Sequence, residues 1–432
     1  MPIKAFDFYR TPRLVFGPGR VKELGQIAAP HAATVLVVTG GDSLDRTGHW
    51  EKCEESLKKA SFRVHRYRFS GEPSPETVDS AVKEFAPLSV ETVVAVGGGS
   101  VIDCAKAIAA MLPLGEPVTP YLEGVGTKTH PGKTLPFIAV PTTAGTGSEA
   151  TKNAVISKVG RQGFKKSLRH DNFTPVCAIV DPELTLSCPP QVTAACGMDA
   201  FTQLLESYVS PQASSVTDAL ALSGIEHMAS ALIPASTDQG HDIGLRASLA
   251  YAAFLSGITL ANAGLGIIHG LASPIGGVVP IPHGVVCATL LAEACRMNIK
   301  RLRELRRPDD ITLIKFARLG RVVSGVQDAD PSAACDRLLK TLDKWTERLS
   351  IPHLGQYGVS ESDLDALATQ AGQKSNPIQL ELKDIKAILR ARLWVAFPPP
   401  TRGCVAMSFR GASREILILQ LAQFKDFSLR SK

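Results

Sequence analysis

The stretch Thr92-Val93-Val94-Ala95-Val96-Gly97-Gly98-Gly99-Ser100-Val101-Ile102-Asp103 decides the fold. Thr92–Val96 is apolar and mostly β-branched, with no polar residue alternating through it. That is the pattern of a strand buried on both faces, as in a parallel sheet. A helix, Val101–Leu112, follows the glycines directly. Glycine lets a backbone come close to a ligand, and the free N–H groups at a helix N-terminus bind phosphate oxygens. Ser100 serves there as N-cap or as a further donor. The spacing is not Gly-x-Gly-x-x-Gly, so the usual dinucleotide fingerprint is absent. From these residues alone, a phosphate-binding turn stands beside a plain tight turn.

On either side of this unit, strands and helices alternate. Val21–Ala29 reads as an amphipathic helix, Thr34–Thr39 as a buried strand ended by Gly40-Gly41, and Trp50–Ala60 as a helix. Phe62–Phe69 alternates like a strand, Pro75–Phe85 is helical, and Pro136–Val140 is a further strand. This order predicts an α/β region with a doubly wound, mostly parallel sheet over residues 1–185. From Pro189 the texture changes to long Ala- and Leu-rich periodic segments at 191–209, 214–232, 242–261 and 284–299. Later helices fit at 311–326, 332–348, 361–371 and 382–393. An all-α region over 186–393 follows. Residues 394–432 read as an appended tail of unknown role, periodic only at Arg414–Gln423.

The net charge of +6 is spread along the chain, apart from the basic run in Lys300–Arg307, which suits a solvated helix end. This argues against a nucleic-acid groove. Nine cysteines, an odd number with no Cys-x-x-Cys pair, argue against a disulfide framework and for a reducing, cytoplasmic setting. No uninterrupted apolar run approaches the roughly 20 residues of a membrane span, so no membrane partner is expected.

Two of only ten histidines fall in one nearly charge-free stretch, Ile267-Ile268-His269-Gly270 to Pro280-Ile281-Pro282-His283-Gly284. One lies on a probable helix and one follows a proline-rich turn. Such a pair suggests a metal site inside the helical region, against the alternative of two satisfied core histidines. A second glycine turn, Pro141-Thr142-Thr143-Ala144-Gly145-Thr146-Gly147-Ser148-Glu149-Ala150-Thr151, carries five hydroxyls after a strand. It is either a helix-capping loop or a second wall of a cofactor site.

Taken in order, several motifs resemble the iron-containing alcohol dehydrogenase family. They are Gly97-Gly-Gly-Ser-Val-Ile-Asp103, Pro141-Thr-Thr-x-Gly-Thr-Gly-Ser-Glu149, Asp181-Pro182, Gly197-Met-Asp-Ala200, His269 and His283. The resemblance spans roughly residues 5–392. It implies a dehydroquinate synthase-like architecture, with a cleft holding a nicotinamide cofactor and a divalent metal. Gly97, Gly98, Gly99 and Ser100 would bind the pyrophosphate, with Asp103 close by. Thr142, Thr143, Thr146 and Ser148 would line the nicotinamide side, and Lys165 would reach ribose or phosphates, unless it is a solvated hairpin lysine.

Members using NAD often carry Asp directly after the first strand. Here that place is Gly40, followed by Gly41, Asp42 and Ser43. The turn leaves room for a 2′-phosphate, with Ser43 and Arg46 as donors, while Asp42 lies within reach of a ribose, so NAD and NADP both stand.

By the same resemblance Asp199, His269 and His283 would ligate Fe²⁺ or Zn²⁺. The family's further histidine ligand, four residues after the aspartate, is Gln203 here, on the same helix face. Its usual relay histidine, four residues after the first histidine ligand, is Ser273. The reaction implied is reversible hydride transfer between NAD(P) and a small alcohol or aldehyde, in a homodimer or larger homo-oligomer. Alternatives are a metal-independent reductase like the maleylacetate reductases, a dehydroquinate synthase-like lyase, and a non-catalytic binding protein. The absence of Lys and Arg from Ala261–Gly284 disfavours the lyase, which needs a polycationic pocket.

Overall fold

In the computed structural model, Thr92–Val96 and the residue after it form a strand whose every side chain is buried. The structure describes residue 3 and residues 5–393, apart from 32, 161–162 and 328–329. The tail expected at 394–432, with its helix at Arg414–Gln423, lies outside the described residues. Eight strands are present among the described residues: β1 Arg13–Phe16, β2 Thr34–Thr39, β3 Arg63–Arg68, β4 Thr92–Gly97, β5 Phe137–Pro141, β6 Asn153–Lys158, β7 Phe164–Arg169 and β8 Cys177–Val180. Six make a sheet of order β1-β8-β5-β4-β2-β3, and every neighbouring pair in it is parallel.

The period of two in these strands sends residues to opposite layers. Leu36, Val38, Val93, Ala95, Phe137 and Ala139 face α4 (Pro75–Phe85) and α5 (Gly99–Met111). The intervening residues Val35, Val37, Val94, Val96, Ile138 and Val140 face α1 (Leu24–Ala28) and α3 (His49–Lys59), on the side where the short α2 is Ser43–Arg46. Both faces are covered, so the doubly wound reading holds. It also explains why β2, β4 and β5 read as unbroken apolar runs.

The helix expected over Val21–Ala29 is divided. A 3₁₀ turn, Arg20–Glu23, precedes α1. Asp181 sets the start by accepting from the backbone N–H of Gly19 and of Val21, each at 3.0 Å. Strands β1 and β8 were not among those expected: β1 is a four-residue edge with one buried side chain, and β8, buried throughout, lies between β1 and β5. Lys165 lies on an antiparallel hairpin, β6–β7. In β7, Phe-Lys-Lys-Ser-Leu-Arg, only Leu168 is buried, so hydropathy gives little signal there.

After β8, α helices follow one another: α6 Pro190–Val209, α7 Ser215–Ala235, α8 Ile243–Ala263, α9 Ile267–Val278, α10 His283–Leu305, α11 Ile311–Ser324, α12 Pro331–Arg348, α13 Leu364–Gln370 and α14 Leu382–Ala391. They share one apolar core, to which α6, α8, α9 and α10 all contribute. By length and composition α8 could cross a membrane, contrary to the expectation that no segment approaches a span. In this fold it is mostly buried and packs on α6 and α7.

Candidate metal and cofactor site

Three helices bring their donor atoms to one point. Asp199, Gln203 and Glu206 lie at positions i, i+4 and i+7 of α6, along one helix face, and all three are buried. His269 is on the first turn of α9, and His283 is the first residue of α10. His269 Nδ1 lies 2.7 Å from Glu206 Oε2, and its Nε2 lies 3.2 Å from Asp199 Oδ1. His283 Nε2 is 3.7 Å from the same Asp199 oxygen. The Sγ of Cys287, one turn along α10, is 3.5 Å from His269 Nε2 and 3.8 Å from His283 Nε2. One donor atom from each of Asp199, His269, His283 and Cys287 lies within 4.8 Å of all the others.

Glycine makes this approach possible. A Cβ on Gly270 would sit 1.8 Å from the Gly372 carbonyl oxygen, and one on Gly284 would sit 2.5 Å from that of Ala195. This accounts for a glycine directly after each histidine. Pro274, inside α9, has no N–H to give to the Gly270 carbonyl. The Gly372 N–H fills that place at 3.2 Å. At the start of α9, Glu206 accepts from Ile268 N–H at 2.8 Å and Asn376 from Ile267 N–H at 3.1 Å. Glu206 therefore caps the helix with one oxygen and orients His269 with the other.

The electrostatics suit a cation. Burial alone would lower His269, but Cys287, Asp199 and Glu206 around it hold it well above the ordinary histidine range. Burial alone would raise Asp199, but His283 and His269 hold it below the usual carboxylate range. Burial, with help from Lys165 and His269, brings His283 down to about 4, so its imidazole is neutral near pH 7. Burial pushes the Cys287 thiol up to about 12. With both nitrogens protonated, His269 bridges two carboxylates, and its Nε2 proton occupies the ground a cation would take. His283 Nδ1 is buried with no hydrogen-bond partner among the described residues. An oxygen, two imidazoles and a sulfur facing inward fit a borderline divalent ion.

The same cavity has a second wall. Gly99, Ser100, Asp103, Thr146, Ser148, Lys165, Gln203, His269, Ser273 and His283 all line it. The three glycines at the end of β4, Gly97, Gly98 and Gly99, do not have positive φ. Space explains them, since a Cβ on Gly99 would lie 2.6 Å from Thr146 Oγ1. Gly98 faces Thr143 in the same way, and the Thr142 N–H donates to the Gly97 carbonyl at 3.0 Å. The glycine turn and the threonine loop are thus in contact.

Asp103 accepts from Ser148 Oγ, and from the Val155 N–H at 3.1 Å, so it ties both loop and hairpin to α5. Burial raises its pKa. Lys165 is an almost fully buried hairpin residue, paired with Glu72 at 2.9 Å and facing the cavity. Gln203 Oε1 lies 2.6 Å from Ser256 Oγ, whose single proton is shared with the Ala253 carbonyl at 2.7 Å.

Gly40 lies against Val101 at the start of α5, next to the glycine turn. Asp42 and Ser43 follow it at α2. Two arginines of β3 also reach this turn. Arg66 holds Asp45 at 2.7 and 2.9 Å, and the half-exposed Arg68 lies 2.8 Å from Asp45 and 3.6 Å from Asp42.

Reading from sequence missed Cys287, Glu206 and Lys106. The first two had a signal: Cys287 is four residues after His283, and Glu206 is seven after Asp199. The buried Lys106 ammonium donates to the carbonyls of Ser148, Thr151 and Asn153 at 2.8–2.9 Å, fastening the threonine loop from behind.

Comparison with known proteins agrees with this geometry. A family profile described as iron-containing alcohol dehydrogenase matches residues 11–182. A second, for the C-terminal part of the Fe-containing alcohol dehydrogenase family, matches residues 193–393. The chain is 34% identical over 399 residues to alcohol dehydrogenase 4 of Schizosaccharomyces pombe, covering 91% of this chain and 90% of that one. It is 33% identical over 401 residues to the NAD-dependent methanol dehydrogenase of Bacillus methanolicus, covering 90% and 100%. Among solved structures, the alcohol dehydrogenase from Oenococcus oeni superposes with a TM-score of 0.79 at 30% identity, covering 90% of this chain and all of that one.

Proposed function

The chain belongs to the iron-containing alcohol dehydrogenase family and is a metal-dependent oxidoreductase of the alcohol dehydrogenase type; on that basis we propose that it interconverts a small alcohol and its carbonyl with NAD, at a divalent cation held by Asp199, His269 and His283. One observation carries the reading: donor atoms from three helices converge beside a cavity whose other wall is a glycine turn at a helix N-terminus. When bound, the cation supplies Lewis-acid polarisation of the substrate oxygen, and the nicotinamide takes up or returns the hydride.

The chain's own groups then have distinct tasks. Asp199 supplies the negative charge. Glu206 accepts from His269 Nδ1–H and so leaves Nε2 as the ligating atom. The free N–H groups at the start of α5, with Ser100, cradle the pyrophosphate. Thr142, Thr143, Thr146 and Ser148 position the nicotinamide side, and Lys165 offers its ammonium to ribose or phosphate. Ser273, one turn after His269, lines the cavity and supplies the hydroxyl that passes a proton outward. Leu260 and Leu265 form an apolar part of the wall and limit water beside the reacting atoms.

NADP is accepted as well in this reading, because Gly40 offers no carboxylate to repel a 2′-phosphate and Arg68 is half exposed nearby. A reducing compartment is inferred from the eight described cysteines, all unpaired. The test is activity toward a series of short alcohols with NAD and with NADP, before and after removal of bound metal. Loss on chelation, with recovery on adding Zn²⁺ or Fe²⁺, is expected. Full activity in metal-free protein contradicts the reading.

A further inference from the structure

We propose that the Cys287 thiolate is the fourth protein ligand of the divalent cation, in the role that Gln203 does not fill, and that the site therefore selects zinc over iron. The inference rests on the cation reading above and adds to it a ligand, a net charge and a metal preference.

Three observations support it. First, the spacing fits. Bond lengths of about 2.0–2.1 Å to nitrogen, 2.0–2.2 Å to oxygen and 2.3 Å to sulfur place the ligand atoms of a tetrahedral zinc about 3.3–3.6 Å apart. The observed separations are 3.2 Å for His269 Nε2 to Asp199 Oδ1, 3.7 Å for His283 Nε2 to Asp199 Oδ1, and 3.5 and 3.8 Å from Cys287 Sγ to the two imidazoles. These four separations fall within about 0.2 Å of that range, and all the donor atoms lie within 4.8 Å of one another, before any ion has drawn the groups together. Second, His283 and Cys287 are one turn apart on α10 and project from one face. The Cys287 side chain is fully buried, and its sulfur is turned toward the histidines. Cys53 and Cys104, by contrast, are enclosed in aliphatic core. Third, the Gln203 oxygen is already engaged with Ser256, and a neutral carboxamide is a poor competitor for a cation.

Charge completes the argument. Binding expels the proton of the Cys287 thiol and the Nε2 proton of His269, and a divalent ion with one carboxylate, one thiolate and two neutral imidazoles is then a neutral centre, which suits side chains as buried as Asp199 and Cys287. A soft thiolate favours zinc over Fe²⁺. A neutral centre is also a weaker Lewis acid than one with a single anionic ligand.

The test uses Co²⁺ as a spectroscopic stand-in on the full chain freed of metal. The expected result is saturation at one equivalent, with tetrahedral visible bands and a near-ultraviolet sulfur-to-cobalt charge-transfer band that is lost in Cys287→Ser. Zn²⁺ affinity in that variant should fall more than about 100-fold, beyond the cost of losing an outer-shell partner. Visible bands that saturate with no charge-transfer band, or a band that persists in Cys287→Ser, would overturn the thiolate ligand and leave the cation reading standing. No saturable binding of Co²⁺ or Zn²⁺ by the unaltered chain would overturn both. If Cys287→Ser does not fold, X-ray absorption on the zinc-loaded natural chain decides. One sulfur neighbour at about 2.3 Å is expected, and none refutes the proposal.

Discussion

The two walls of the cavity are built in opposite ways. The turn at Gly97–Ser100 is contiguous in sequence, offers mainly backbone N–H groups, and is shaped by space made for Thr143 and Thr146. The facing cluster offers side chains from residues 199, 206, 269, 283 and 287, on three helices, with Gly284 omitting a Cβ where α10 meets Ala195 of α6 and Gly270 omitting one where α9 meets Gly372. A wall of backbone donors tolerates most side-chain changes and fails gradually. A wall of converging side-chain donors fails abruptly when one of them is removed. The comparison explains why one wall reads as a motif and the other as scattered residues.

The largest expected effect lies on the side-chain wall. Asp199→Asn should reduce kcat/KM by about 10³-fold or more, about 4 kcal/mol in transition-state terms, with the cation lost and the helix content unchanged. Steady-state kinetics with metal analysis would show it. A tenfold effect or less would mean that the two walls do not differ as described.

Glu149 tests the other wall through pH. Burial raises its pKa from 4.5 to about 7, against the smaller pull of Lys106. Between those values the folded chain keeps a proton that the unfolded chain has lost. Stability present below pH 4.5 is therefore lost as pH rises through about 7. Glu149→Gln should raise stability near pH 8 by up to about 3 kcal/mol and leave it unchanged near pH 4, by denaturant unfolding at both values. An equal gain at both would assign the effect to packing.

Glu206→Gln should weaken Zn²⁺ binding about 10–100-fold in a metal titration, because the group that fixes the His269 tautomer is lost. Unchanged affinity would show that helix capping is its whole role. Smallest is Gly99→Ala. The added Cβ meets a threonine side chain that can turn aside, so the cofactor KM should rise roughly tenfold, about 1.4 kcal/mol, with a stability loss below about 1 kcal/mol.

The sheet was legible because β2, β4 and β5 are buried on both faces and carry apolar runs rich in β-branched residues. Edge strand β1 and the hairpin β6–β7 were not, because exposed charged residues such as Lys166 and Arg169 interrupt the hydropathy signal. At the site, the residues with family motifs could be named in advance. Cys287 was missed despite its place four residues after His283, because a cysteine in an apolar helix looks like a small core residue until α10 turns its sulfur toward two imidazoles. Glu206 was hidden for a related reason: its partner is 63 residues away in sequence.

The convergence of the three helices on one cation can be tested by anomalous diffraction at the zinc edge, on crystals grown with Zn²⁺. One strong peak per chain, enclosed by Asp199, His269, His283 and Cys287 beside the Gly99–Ser100 turn, is the expected result. Zinc bound only elsewhere on the chain, with these four side chains still hydrogen-bonded to one another, would contradict it.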